Sequence, residues 1–105
     1  MMRVFNTYLY EVLKGTKPVA LVTCENSLKG KIVSRLEKEN IPFSVQDIDN
    51  SKINVFFGNK ECIDVVKKIF VVPLCSLSPY EDFILGAILG YDIKLQCKRF
   101  LEKTS

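Results

Sequence analysis

The run "KINVFFG", Lys52 to Gly58, alternates Ile53, Val55 and Phe57 with Asn54 and Phe56. Successive side chains of a strand project to opposite faces of the sheet. Phe56 and Phe57 therefore cannot both be buried by the same layer, and at least one needs cover beyond the nearer layer. A fold built on this strand must supply that cover from 105 residues. That length suits a single domain, residues 1–105, with a real core, but not a catalytic domain plus a separate substrate domain.

The neighbouring pattern extends the strand into a small α+β unit. Phe43 and Val45 alternate with Ser44 and Gln46, and the turn-rich "DIDNSK" joins this run to Ile53–Phe57 as a hairpin. Upstream, "VALVTC", Val19 to Cys24, reads as a central strand. Leu28, Ile32 and Leu36 recur every four residues, which predicts a helix capped by Asn26 or Ser27 and stopped by Pro42. Downstream, Asn59 is placed to cap a helix whose inward stripe is Cys62 or Ile63, Val66, and Ile69 or Phe70. Before the first strand, Val4, Tyr8, Leu9, Val12 and Leu13 predict a helix over residues 4–14, with Gly15 as its stop.

The expected fold is thus α+β: a two-layer sandwich with a β-α-β-β-α core, preceded by a helix and followed by a helical hairpin. Phe70–Leu74 is either a fourth strand at an edge, where Pro73 is tolerated, or an extended connector. The former would make the core ferredoxin-like.

The hairpin begins at "LSPYEDFILGAILGYDIKLQC", Leu77 to Cys97. Ser78, Pro79 and Glu81 have the spacing of an N-cap, a first-turn proline and a capping-box glutamate, and Asp82 adds charge near the positive helix end. Adjacent residues on a helix point about 100° apart, so Glu81 and Asp82 do not converge as a catalytic acid pair. Beyond them, Phe83, Ile84, Leu85, Ala87, Ile88, Leu89 and Tyr91 leave almost no polar face, so this helix needs neighbours on several sides. Gly86 and Gly90, four apart, permit close backbone approach at a helix crossing, and Gly90 could alternatively end the helix. Asp92 would then cap a last helix with an apolar stripe of Ile93, Cys97, Phe100 and Leu101, leaving Lys94, Lys98 and Arg99 wet. The residues nominated for an interaction are Phe83, Ile84, Gly86, Gly90 and Tyr91.

Chemistry is sparsely represented. The chain has no histidine, which removes the side chain best suited to proton transfer near neutrality and the commonest metal ligand. Cys24, Cys62, Cys75 and Cys97 form no C-x-x-C pair, so neither a zinc module nor a dithiol redox motif is expected. Cys24, at the end of a strand and before a helix start, is the one candidate reactive thiol, with Glu25 or Thr23 nearby. The formal net charge of +3 comes from interspersed charges, and a nucleic-acid partner is not expected. There is no secretory pattern at the start, and no apolar run reaches the roughly 18 residues of a membrane span, so the expected setting is a reducing cytoplasm with free thiols and no membrane partner. No phosphate-binding loop is present, and no cofactor is expected.

Three stretches, "FNTYLYEVLKG", "INVFFGNKEC" and "LSPYEDFILGAILGYDIKLQC", resemble a small family of bacterial domains of unknown function, DUF2023, over Val4 to about Leu101. The most specific part is E-D-F-I-L-G-x-x-L-G-Y-D, Glu81 to Asp92. The resemblance implies a compact α/β protein and brings no reaction, cofactor or catalytic residue with it. As to partners, it implies at most another protein, with a flavodoxin as the candidate. The leading expectation is a non-enzymatic interaction or regulatory domain that binds a protein or its own copies through the Phe83–Tyr91 helix. The alternatives are a thiol-redox module using Cys24 and a ligand site between the sandwich and the helical hairpin.

Overall fold

A computed structural model describes residues 1–105. In chain order it contains helix α1 (Met2–Lys14), strand β1 (Val19–Glu25), helix α2 (Lys29–Lys38), strands β2 (Phe43–Asp47) and β3 (Lys52–Gly58), and helices α3 (Lys60–Ile69), α4 (Pro79–Ile88) and α5 (Ile93–Thr104). The three strands form one open sheet in the order β1-β3-β2, with β3 antiparallel to both neighbours. The expected β-α-β-β-α order is present, preceded by one helix and followed by two.

The two faces of β3 decide the layering. Ile53, Val55 and Phe57 pack with Ala20, Val22 and Cys24 against α1 and α2, which contribute Phe5, Leu9, Ile32 and Leu36. The Phe5 and Phe57 rings meet edge-on, 5.3 Å between centroids. Phe56 points the other way, into a second cluster with Val19, Ile63, Val66, Phe70 and Leu89. It stacks on Phe70 at 6.3 Å. Helices therefore cover both faces: the layering goes one step beyond the expected two-layer sandwich, because α3 turns under the sheet instead of returning to the side of α2. Complete burial of both adjacent phenylalanines requires this, and each such side chain contributes roughly 1.5–3 kcal/mol of burial.

Local signals set most boundaries. The Asn59 side chain accepts from the backbone N–H groups of Glu61 and Cys62 and so starts α3. Gly58, at φ +150°, closes β3 where the backbone of Val19 passes so near that a Cβ would meet Val19 Cα at 2.7 Å. In the β2–β3 turn, Asp49 accepts from Ser51 N–H at 2.7 Å and Lys52 N–H at 2.9 Å. Helix α2 ends when Asn40 takes a left-handed conformation, φ 57°, and Ile41 N–H reaches back to the Leu36 carbonyl at 2.9 Å.

Two expectations need correction, and one alternative left open is decided. The start of α2 has no side-chain cap from Asn26 or Ser27. A 3-10 turn over Asn26–Leu28 precedes it and binds the Lys29 N–H, so the tighter turn replaces the cap. The buried stripe of α1 is shifted: Phe5 and Leu9 are buried while Val4 and Leu13 are exposed, because the larger Phe5 ring takes the site facing Phe57. A fourth strand does not form. Phe70–Pro73 is an irregular connector that bends at Val72, followed by a 3-10 turn at Leu74–Ser76. Its first carbonyl, Phe70 O, accepts from Gln46 Nε2 of β2 at 2.7 Å, which holds the connector beside β2 and away from the free edge of β1, where a ferredoxin-like fourth strand would pair.

Candidate functional site

The opening of α4 follows the sequence closely. Ser78 Oγ accepts from Glu81 N–H at 3.1 Å, and Glu81 Oε1 accepts from Ser78 N–H at 2.9 Å, with Pro79 at the first helical position. Asp82 points elsewhere: its carboxylate is 3.2 Å from Arg99 Nη2 and 3.1 Å from Lys103 Nζ of α5. The two acids are thus divided between capping and helix pairing, as their angular separation on the helix requires. Both cations are substantially exposed, so each ion pair contributes no more than about 1 kcal/mol.

The two glycines have different roles. Gly86 is buried beneath Gln96, and a Cβ on Gly86 would overlap the end of the Gln96 side chain, so its lack of a side chain makes room for that buried glutamine between α4 and α5. Gly90, at φ +76°, terminates α4: Gly90 N–H donates to Ala87 O and Tyr91 N–H to Gly86 O. Nothing lies within 4 Å of a Cβ placed on Gly90. It is a helix stop, not a second crossing contact. Asp92 then caps α5 by accepting from Lys94 N–H at 2.9 Å.

Leu89 anchors the hairpin in the second core cluster, with Leu74, Leu77, Leu85 and Ile88 packed around it. Helix α5 packs chiefly on α4, and its only buried residue is Gln96. The stripe expected to face inward is therefore uncovered: Ile93 is 53% exposed, Leu101 is 64% exposed, and Cys97 is exposed. The reason is that α4 spends its inward face on the sheet side and has only its flank left for α5. Between the two helices, Tyr80, Phe83, Ile84, Cys97, Phe100 and Leu101 line a wholly apolar groove of about 350 Å³. Phe100 supports it from below, its ring 5.1 Å from Tyr80 and 5.6 Å from Phe83. Of the nominated interaction residues, Phe83 and Ile84 help line this groove, Gly86 lies outside it beneath Gln96, and Gly90 and exposed Tyr91 stand at the turn between the two helices.

Cys24 lies apart from the groove, on the α1 side of the sheet and 5% exposed. Burial, reinforced by the Glu25 carboxylate, pushes its pKa up. The helix start expected to activate it is not adjacent, since α2 begins only at Lys29. Cys75 and Cys97 are the exposed thiols, although Cys97 belongs to the stripe expected to face inward.

A second concavity escapes the sequence patterns. Thr23, Asn54 and Gln46 stand side by side on β1, β3 and β2, forming a polar rung on the same face as Phe56. With the Phe70–Cys75 connector they bound a cleft of about 650 Å³. Each residue reads as the wet half of an alternating strand. The available signal was parity: Asn54 shares its face with Phe56, so whatever covers Phe56 also borders Asn54.

No group of three or more histidine, cysteine or acidic side chains is placed to hold a metal ion. No helix is long and apolar enough to cross a membrane. No curated protein matches the chain. A family model described as "Protein of unknown function (DUF2023)" matches residues 3–103, and the chain, with its capped and glycine-punctuated C-terminal hairpin, belongs to the DUF2023 family.

Proposed function

We propose that this protein is a non-enzymatic interaction domain that pairs with a second copy of itself through the outer face of the α4–α5 hairpin. The observation that carries the reading is the apolar groove lined by Tyr80, Phe83, Ile84, Cys97, Phe100 and Leu101, which no other part of the chain covers. Charge supports a like partner. Residues 79–105 hold four acids (Glu81, Asp82, Asp92, Glu102) and four bases (Lys94, Lys98, Arg99, Lys103), which sum to zero, so the whole net charge of +3 resides in residues 1–78. Two neutral hairpins meet without repulsion, and the apolar seam between two such helix pairs has the geometry of a four-helix bundle.

The face is small. A 12-residue α5 is about 18 Å long, which places the contact at the small, transient end of the interface range. Light scattering across a concentration series up to the millimolar range tests it. The wild type is expected to move from monomer to dimer. Ile84→Glu with Leu101→Glu is expected to stay monomeric with an unchanged circular dichroism spectrum, since both positions are exposed in the single chain. A wild type that remains monomeric throughout would remove the self-association reading. Mixing with a flavodoxin, the partner class implied by the family resemblance, then tests whether the same face serves another protein.

A further inference from the structure

The cleft above the sheet has a chemistry of its own. Asn54 is 5% exposed, and its carbonyl oxygen accepts from Thr23 Oγ1, yet its amide nitrogen makes no hydrogen bond within the chain. No buried side-chain nitrogen or oxygen that is sealed from solvent lacks a partner, so this nitrogen must open into the cleft that Asn54 lines. Beside it on β2, Gln46 gives its Nε2 to the Phe70 carbonyl. That bond settles the amide's orientation, because a carbonyl can accept only from the NH2 end, and it leaves Gln46 Oε1 free as an acceptor. Asn54 and Gln46 are directly paired across β3 and β2, and such neighbours have Cβ atoms about 5 Å apart. A free donor and a free acceptor thus stand side by side on a rigid floor.

The walls complete the description. Phe70, Val72 and Leu74 supply an apolar side, and Lys67 and Asp47 stand on the lining with opposite charges, neither joined to any ion pair. Their charges cancel, so the cleft has no net attraction for a strongly charged anion or cation. Its volume of about 650 Å³ is in the range of small-molecule sites, roughly 300–1,000 Å³.

We infer that this cleft binds a small neutral molecule carrying a carboxamide-type edge, a carbonyl beside an N–H, on an apolar body. The ligand carbonyl accepts from Asn54 Nδ2, its N–H donates to Gln46 Oε1, and its apolar body lies against Val72 and Leu74. Open to the cleft, the Asn54 donor is met by solvent in the free chain, and a complementary ligand replaces that solvent with a directed hydrogen bond. The site is independent of the hairpin face, which lies on the other side of the connector in sequence and shares no lining residue with it.

Three isosteric probes test the inference on the intact protein by nitrogen–proton correlation spectroscopy: benzamide, benzoate, and acetophenone, which keeps the carbonyl and lacks the N–H. Benzamide is expected to shift the Asn54 and Gln46 side-chain amides and the backbone N–H signals of Val71, Val72 and Leu74 saturably, with Kd of about 1 mM or tighter. Benzoate and acetophenone are expected to bind at least about fivefold more weakly, since each loses one of the two hydrogen bonds. Asn54→Asp, which replaces the donor by an acceptor of the same shape, should weaken benzamide about tenfold. Val72→Trp, on a partly exposed wall that leaves the polar rung untouched, should abolish the shifts even if Asn54→Asp proves unstable. Equal binding of all three probes, shifts outside the cleft, or no saturable shift with benzamide at about 10 mM would overturn the inference.

Discussion

The sheet with its flanking helices and the C-terminal hairpin are comparably rich in apolar residues but dispose of them in opposite ways. Of the buried hydrophobic residues, every one but Leu89 lies at or before Phe70. In the hairpin, Tyr80, Ile84, Tyr91, Ile93, Leu95 and Leu101 remain exposed. What separates the regions is geometry. A strand such as β3 offers two faces, and α1, α2 and α3 meet both. Helix α4 is apolar nearly all round, but the sheet side takes one part of its surface and α5 another, leaving a flank and most of α5 itself without cover. A folded core and a contact surface can therefore be written in the same alphabet, and only the count of available partners tells them apart.

Substitution separates them most sharply. Phe57→Ala, removing a ring that contacts Phe5 inside the first cluster, should cost about 3–5 kcal/mol and bring a chain of this size close to unfolding. Leu101→Ala should cost no more than about 0.5 kcal/mol in the isolated chain, because the side chain is exposed there. Urea denaturation of the two variants measures the contrast.

The thiols give the same contrast without altering the packing. Cys24 packs at the edge of the first cluster, 5% exposed, with its pKa raised by burial, and Cys97 lies in the groove, so Cys97 and Cys75 should alkylate at neutral pH at least about tenfold faster than Cys24. Mass spectrometry of a timed labelling reaction reads this directly. Comparable rates would show that the α1 side of the sheet is not closed.

Smaller effects sharpen the boundary. Ser78→Ala removes the side-chain half of the reciprocal pair at the entrance of α4, the bond from Glu81 N–H to Ser78 Oγ, and should cost about 1 kcal/mol, with faster amide exchange confined to the first turn of the hairpin. The smallest effect belongs to the β2–β3 turn. Hydrogen bonds from Ser51 backbone N–H, Ser51 hydroxyl and Lys52 N–H hold the Asp49 carboxyl below its ordinary value of 3.8. Its contribution is full above that ordinary value and is lost as the pH falls through the lower, folded one. Asp49→Asn should flatten the acid limb of the stability curve in that window and leave the curve at neutral pH unchanged in shape.

Legibility in the sequence follows from the range of each signal. Local chemistry was readable: the Asn59 cap, the Ser78–Glu81 box and the hairpin turn each involve residues within a few positions of one another. The need for cover on both sides of β3 was readable too, from Phe56 beside Phe57. Which helix would supply that cover was not, because periodicity marks the apolar stripe of α3 without saying which face of the sheet it meets. The same limit hid the exposure of the α5 stripe. Ile93, Cys97, Phe100 and Leu101 have the spacing of an inward face whether or not a neighbour is there to receive them. The polar rung was hidden for a related reason, since a residue that alternates outward looks identical over open water and over a cleft.

The measurement that bears most directly on this account is hydrogen exchange followed by mass spectrometry at two protein concentrations, the lowest and the highest of the light-scattering series. Peptides from α4 and α5 should become more protected at the higher concentration while those from β1, β3 and α2 exchange identically at both. Hairpin exchange that does not depend on concentration would contradict the assignment of its outer face as the surface by which two copies meet.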